Sequence, residues 1–403
     1  MKPLRQLFRS LGCRDYRLYF FGQLASLHGS WMQQVAQSWL VYRLTGSNWM
    51  LGVVSAAGLA PSLLFGLWGG MVADRVPRRR LFLLCQWLAL AQAVALAVLT
   101  LGGWVRPWQV VVLAFLVGVV HAFEIPARHA LVGTLVPREL MHNAVALNSS
   151  TFNLARALGP VTAGLLIPHT GEGGIFLVNA ASYLAVILAL SRMSGADPAP
   201  RHAAGDGLLG GLRHVWRHPG LRAAVLLVGL SSLLVNPYLV LLPDFARRVL
   251  TGGAEEYGVL VGAAGFGSLL GALHLALRAR PTGLERLVAL ASLGASLGLV
   301  GLALCRTPIP AAGFLCLTGL ALTTQVAGTN TYLQVSAPDR LRGRIMSLFS
   351  VVFLGFSPLG SLVAGGLADR LGVLPVLAGL GLVLLVVGMP WRLRLWFLEG
   401  ASR

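Results

Sequence analysis

Twelve membrane-spanning helices in two related six-helix bundles, an all-α membrane protein, is the predicted fold class, and three observations predict it. The 403-residue chain is 56% hydrophobic and only 11% charged, too apolar for a soluble domain. Its 32 Lys and Arg outnumber 14 Asp and Glu, yet they cluster in short loops beside apolar stretches. That is the pattern of cytoplasmic loops, not of a nucleic-acid-binding face. Finally, a shift of 201 residues places Gly66 on Gly267, Gly70 on Gly271, Arg79 on Arg280 and Gly118 on Gly319. The same shift brings Pro137, Leu140, Leu147, Gly159 and Gly164 onto Pro338, Leu341, Leu348, Gly360 and Gly365. One offset serving small and turn-forming positions in both halves indicates an internal repeat.

About twenty apolar residues cross a bilayer. On that rule the spans fall at 17–42, 50–73, 81–101, 108–127, 145–168, 174–192, 221–243, 257–278, 285–305, 311–334, 345–368 and 373–391. The tail before the first carries Lys2, Arg5, Arg9, Arg14 and Arg17 and no small-residue cleavage site, so the first helix is expected to be retained. Arg75, Arg78, Arg79 and Arg80 follow the second span, and Arg128 and Arg138 follow the fourth. Five basic residues lie in 192–222, three in 278–286, three in 340–344 and three after 391. An even number of spans puts both termini on this side, which holds twenty-five Lys and Arg against six on the other, with Arg156 inside a span. Both termini are therefore expected in the cytoplasm, with the chain multi-pass in the cell inner (plasma) membrane. The expected domains are an N-terminal bundle at 1–192, a cytoplasmic linker with an amphipathic helix at 193–217, and a C-terminal bundle at 218–403. The linker holds Asp197-Pro198-Ala199-Pro200 and ends in Leu212-Arg213-His214-Val215-Trp216-Arg217, a surface-helix pattern.

The loop after the second span reads Gly70-Met71-Val72-Ala73-Asp74-Arg75-Val76-Pro77-Arg78-Arg79-Arg80. Gly66 and Gly70 share one helix face, which predicts close approach of a neighbouring helix there. Asp74 has no place in a loop that is merely positive. Cys13, Cys85, Cys305 and Cys316 are scattered, with no Cys-x-x-Cys, so neither a metal site nor a disulfide is expected.

Gly70-x-x-x-Asp74-Arg75-x-x-Arg78-Arg79 resembles the signature of the major facilitator superfamily between its second and third helices. Further stretches are similar to the secretion-effector branch, which holds enterobactin-exporter-like and macrolide-efflux-like proteins. They include Gly29-Ser30-Trp31-Met32-Gln33-Gln34, Ile125-Pro126-Ala127-Arg128-His129-Ala130-Leu131, Asn153-Leu154-Ala155-Arg156-Ala157-Leu158-Gly159-Pro160 and Pro338-Asp339-Arg340-Leu341-Arg342-Gly343-Arg344. The resemblance implies a proton-driven exporter. It also implies an antiporter-like motif in the fifth helix at Gly159, Pro160 and Gly164, with Ala155 and Ala163 in place of glycines. Two positions depart from proton-coupled relatives: Ala114 stands where many carry Arg in the fourth helix, and Ser30 where many carry Asp in the first. By the same resemblance Gly70, Asp74, Arg75 and Arg79 form a conformational latch, in which Asp74 meets the positive N-terminus of the eleventh helix near Ile345.

At 100° per residue, Ser26, Ser30, Gln33 and Gln37 form a polar stripe on the first span. Ser149, Asn153, Arg156 and Pro160 form one on the fifth, and Thr323, Asn330 and Gln334 one on the tenth. Ser232 and Asn236 lie one turn apart on the seventh. Each stripe suits either a cavity wall or helix–helix hydrogen bonding. The first, fourth, seventh and tenth helices line the cavity in the family, which assigns Ser26, Ser30, Gln33, Gln37, Ser232, Asn236, Thr323, Asn330 and Gln334 to substrate. Glu124 is the one carboxylate expected inside a span, three residues after His121; these two are the candidates for proton exchange. Glu124 is expected either to pair with Arg156 in one state of a coupling cycle or to form an i,i+4 pair with Arg128.

The expected function is secondary active transport, a proton-coupled export of amphipathic or hydrophobic small molecules of the multidrug type by alternating access. A dedicated siderophore or metabolite exporter and an uncoupled facilitator are the alternatives. Neither a Walker motif nor His-Glu-x-x-His occurs, which argues against ATP-driven pumping and against an enzyme. No cofactor is expected beyond a proton gradient as the energy source. The expected partners are a small-molecule substrate and membrane lipids, with no nucleic acid, and the chain is expected to be a monomer.

Overall fold

The computed structural model describes residues 8–194, 209–278 and 283–401. Among them every regular element is a helix. They group into two compact units, one of residues 1–44 and 57–204 and the other of 45–56 and 205–403. The first holds α1 (Arg14–Thr45), most of α2 (Asn48–Ala73), α3 (Arg78–Leu101), α4 (Pro107–Val132) and α5 (Met141–Ser191). The second takes the start of α2 and holds α6 (Leu209–Arg217), α7 (Pro219–Leu234), α8 (Tyr238–Asp244), α9 (Ala254–Ala276) and α10 (Leu284–Leu304). It continues through α11 (Pro308–Ser336), α12 (Asp339–Leu371), α13 (Val373–Val387) and α14 (Met389–Ala401).

Among the described residues nine helices are long and apolar enough to cross a bilayer, or ten if Val373–Val387 and Met389–Phe397, bent by 43°, count as one span. The expected number was twelve, and two local features account for much of the difference. At 32 residues α1 is long enough to span, but Ser26, Ser30, Gln33 and Gln37 dilute its hydropathy. The fifth and sixth expected spans run together as α5, which breaks only at Gly171, where φ is 66°. A left-handed residue cannot continue a helix, and glycine takes that conformation without a Cβ clash. Linker residues 195–208, with Asp197 to Pro200, lie outside the described residues. After them α6 forms with Val215 buried and Arg213, Trp216 and Arg217 exposed.

Lipid offers no hydrophobic drive between helices, so packing rests on close backbone approach and interhelical hydrogen bonds. In the first unit a Cβ on Gly118 would strike the Gly58 carbonyl oxygen, and one on Gly69 would strike that of Ala122, so α2 and α4 touch backbone to backbone. Within the first unit the close approach expected at Gly66 and Gly70 falls instead on Gly69, roughly 100° round the helix from Gly70; among the described residues nothing lies within 4 Å of a Cβ built on Gly66 or Gly70. In the second unit Gly319, the repeat partner of Gly118, meets the Ala264 carbonyl oxygen on α9. Gly159 meets Trp31 and His28 on α1, and its partner Gly360 meets Leu233 on α7 and Pro237 just beyond it. The repeat thus reuses two helix crossings, each present in both units.

The ends of the helices carry polar ties. In the first unit Tyr16 donates from its hydroxyl to the Ala144 carbonyl at 2.8 Å, and Arg43 holds Glu172 with bonds of 2.8 and 3.1 Å. In the second, buried Arg392 reaches Ser292 Oγ, Ser296 Oγ and the carbonyls of Ser292, Leu384 and Leu385 at 2.7–3.2 Å. Its fork of donors is matched by acceptors from two other helices, α10 and α13, which makes a buried guanidinium tolerable.

Candidate functional site

The polar stripe of α1 divides by burial. Ser26 and Gln33 are buried, while Ser30 and Gln37 are half-exposed. Gly29 lets α1 close on the second half of α5, with Asn179 Oδ1 only 2.6 Å from where a Cβ would stand. At this crossing Gln33 donates to Gln92 Oε1 at 2.9 Å and accepts from Asn179 Nδ2 at 2.8 Å. One turn away Ser30 Oγ lies 3.2 Å from the Tyr183 hydroxyl. Gln33 therefore joins three helices, α1, α3 and α5. Gln92, Asn179 and Tyr183 were missed from the sequence because each is a lone polar residue in an apolar run. Their signal was only that a buried amide in a membrane needs a partner.

Glu124 is buried on α4, and Arg128 Nη1 lies 3.3 Å from its Oε1 one turn further on. The helix continues through Pro126, so the i,i+4 geometry survives there. His121 is half-buried on the same helix. On α5 the half-exposed Arg156 guanidinium sits 5.8 Å from the centre of the Trp31 ring, and Phe152 packs edge-on to Trp31 at 5.8 Å. The structure thus gives Glu124 the Arg128 partner and sets Arg156 beside an aromatic pair. Gly159, Pro160 and Gly164, further along α5, are buried. Two carboxylates that sequence reasoning left aside, Asp244 and Glu172, are as buried as Glu124.

In the second unit Ser232 is buried and donates to the Phe353 carbonyl at 2.5 Å. Its neighbour Ser231 donates to Gln325 Oε1 at 2.8 Å, and Gln325 Nε2 returns a bond to the Leu227 carbonyl. Asn236 is half-buried just past α7. On α11 Thr323 and Asn330 are half-buried, and exposed Gln334 donates to Asn330 Oδ1 at 2.6 Å. Asn236, Thr323, Asn330 and Gln334 therefore keep some exposure, while Ser232 is spent on packing. Buried Gln325 lies outside the expected stripe.

Asp74 is half-buried just beyond the end of α2, its N–H bonded to the Gly70 carbonyl at 3.1 Å. Arg75 is exposed, and Arg79 Nη2 donates to the Ser191 carbonyl at 3.1 Å.

Solved structures of the same fold include a bacterial homologue of the human lysosomal transporter Spinster, inward-facing and unoccupied. It has TM-score 0.74 and 14% identity over 95% of this chain and 97% of that one. A bacterial homologue of the iron transporter ferroportin, also inward-facing, has TM-score 0.71 and 17% identity over 94% and 98%. Together with the all-helical membrane architecture they define the fold class, an all-α membrane protein of the major facilitator fold. Sequence narrows it further: the profile described as transmembrane secretion effector matches residues 8–399, and the chain belongs to that family. Similar curated proteins include the multidrug efflux pump Tap of Mycolicibacterium fortuitum, 30% identical over 388 residues, covering 92% of this chain and 93% of that one. The staphyloferrin A transporter of Staphylococcus aureus is 27% identical over 380 residues, covering 92% and 94%. The enterobactin exporter EntS of Shigella boydii is 28% identical over 388 residues, covering 93% and 90%.

Proposed function

We propose that the protein is a proton-coupled exporter of amphipathic or hydrophobic small molecules, working by alternating access between its two halves. The observation that carries export is the full-length similarity to an efflux pump and a siderophore exporter. The substrate class rests on sparse polar side chains that keep some exposure on apolar helices: Ser30 and Gln37, beside the aromatic Trp31 and Phe152, in the first unit, and, separately, Asn330 and Gln334 in the second. Glu124 carries the coupling. Glu124 pairs with a guanidinium in one state of the cycle, that of Arg128 or of Arg156, and takes up a proton in the other, when that partner is withdrawn. His121 relays the proton. At the cytoplasmic face Asp74, with Arg75, Arg79 and Gly70, latches the closed state, and both termini lie on that side. The chain spans the inner membrane twelve times and acts as a monomer.

Arg156 beside Trp31 and Phe152 favours a second reading, a dedicated exporter of an anionic, aromatic metabolite such as a catecholate siderophore. The test is accumulation of a fluorescent hydrophobic cation in cells stripped of their own pumps. Expression lowers accumulation, a protonophore abolishes the difference, and Glu124→Gln behaves like the protonophore. Equal accumulation with and without the protein overturns the multidrug reading, and unchanged export by Glu124→Gln removes the coupling role.

A further inference from the structure

Helix α2 belongs to both units: residues 45–56 pack with the second and 57–73 with the first. The carboxylate of Asp369, near the end of α12, holds its head. Ser47 Oγ donates to Asp369 at 2.5 Å, the Asn48 N–H at 2.6 Å and the Trp49 N–H at 3.1 Å. The two amides belong to the first turn of α2, where N–H groups have no acceptor within the helix and carry partial positive charge. A second carboxylate works beside the first. Buried Asp244 accepts from Asn48 Nδ2 at 2.9 Å and from Arg248 Nε at 2.9 Å, and Arg248 also reaches the Gly46 carbonyl at 3.3 Å. Beneath them the backbones touch. A Cβ on Gly52 would lie 2.5 Å from the Ser361 carbonyl oxygen, a Cβ on Gly365 would strike that of Asn48, and Ser55 Oγ meets Ser361 Oγ at 3.4 Å.

We propose that Asp369 is a reversible latch that clasps the head of α2 to the second unit and releases it once per transport cycle. The proposal rests on the alternating-access reading above. Three features suit a contact that opens. Its ties are hydrogen bonds at a rim where Asp369 and Trp49 are exposed, so water can replace them. Small residues, Gly52, Ser55, Ser361 and Gly365, form the close contact, so little side-chain bulk has to be withdrawn. The rest of α2 is committed to the other unit, so any relative movement of the units must bend the helix or break this junction. Gly365-x-x-x-Asp369-Arg370 also repeats the spacing Gly70-x-x-x-Asp74-Arg75. α1 runs once from Arg14 to Thr45, so the 45–48 turn lies at the end of the helices away from the N-terminus. The chain thus carries one Gly-x-x-x-Asp-Arg device at each end of its helices.

The test needs no substrate, so it gives an answer even if the transported compound differs from that proposed. In purified protein in detergent, with the native cysteines replaced, Ser55→Cys reports opening of the junction and Ala93→Cys, in the first unit's core, reports general loosening. Asp369→Asn is expected to raise maleimide labelling at position 55 by roughly tenfold or more, the weight of charge-assisted bonds to a carboxylate, with position 93 still protected. Labelling at position 55 that stays at the parent rate overturns the latch, leaving a fixed junction with the flexibility in α2 at Pro61. A matching rise at position 93 also overturns it, because the effect is then loss of fold.

Discussion

Replacing Gln33 by Leu removes a residue that both donates to Gln92 and accepts from Asn179. Two buried bonds disappear, and two amides lose a partner. In water-soluble proteins each abandoned group costs about 1–3 kcal/mol. Between membrane helices the average bond is worth about 0.6 kcal/mol and the strongest about 1.7, because helices that have come apart in lipid find other partners. The second scale applies to this crossing, so two bonds give a loss of roughly 1–3 kcal/mol. The assay is a double-mutant cycle of Gln33→Leu and Gln92→Leu, read by equilibrium unfolding in mixed micelles. A coupling of about 0.5–1.5 kcal/mol is expected. Export of chemically unrelated substrates should fall together, in step with folded protein. A coupling below about 0.3 kcal/mol, within the error of additivity, refutes the bond. A change of substrate preference at unchanged stability makes Gln33 a cavity residue instead of a tie between helices.

Three further outcomes follow from the packing. Gly69→Ala should destabilise by about 1–3 kcal/mol, because its methyl meets the Ala122 backbone, while Gly66→Ala should stay within about 0.5 kcal/mol; thermal unfolding in detergent separates them. Gly118→Val and Gly319→Val, repeat partners at equivalent crossings, should each abolish folded yield in fluorescence-detected size-exclusion profiles. Arg392→Lys should be no more stable than Arg392→Met, since an ammonium with three donors cannot serve the acceptors that the guanidinium fork reaches from one position.

How much was legible in the sequence depended on which property each feature rests on. Apolar length and arginine placement are local, so the helical membrane class and the repeat followed from composition, spacing and one offset. The polar stripes were equally legible as patterns, but not in their use. Ser30 and Ser232 sit on similar stripes, and only packing decides that Ser232 is consumed by the Phe353 carbonyl. Gly66 and Gly70 show why spacing misleads: small-xxx-small marks a face, and the neighbour packs on Gly69, off that face. The Asp369 clasp was beyond sequence reasoning because its acceptor and donors are more than three hundred residues apart, and backbone amides leave no mark in a sequence. Glu124 with Arg128 could be written down in advance, because an i,i+4 pair is a local event.

Coupled export itself is tested most directly in proteoliposomes loaded with a fluorescent hydrophobic cation, with no ATP present and a pH gradient imposed across the membrane. Efflux is expected to start with the gradient, to stop when a protonophore dissipates it, and to be accompanied by alkalinisation of the compartment supplying protons. Efflux at the same rate with no gradient contradicts proton coupling and makes the protein a facilitator. Failure to move any hydrophobic cation, with gradient-driven export of an anionic siderophore, contradicts the substrate class.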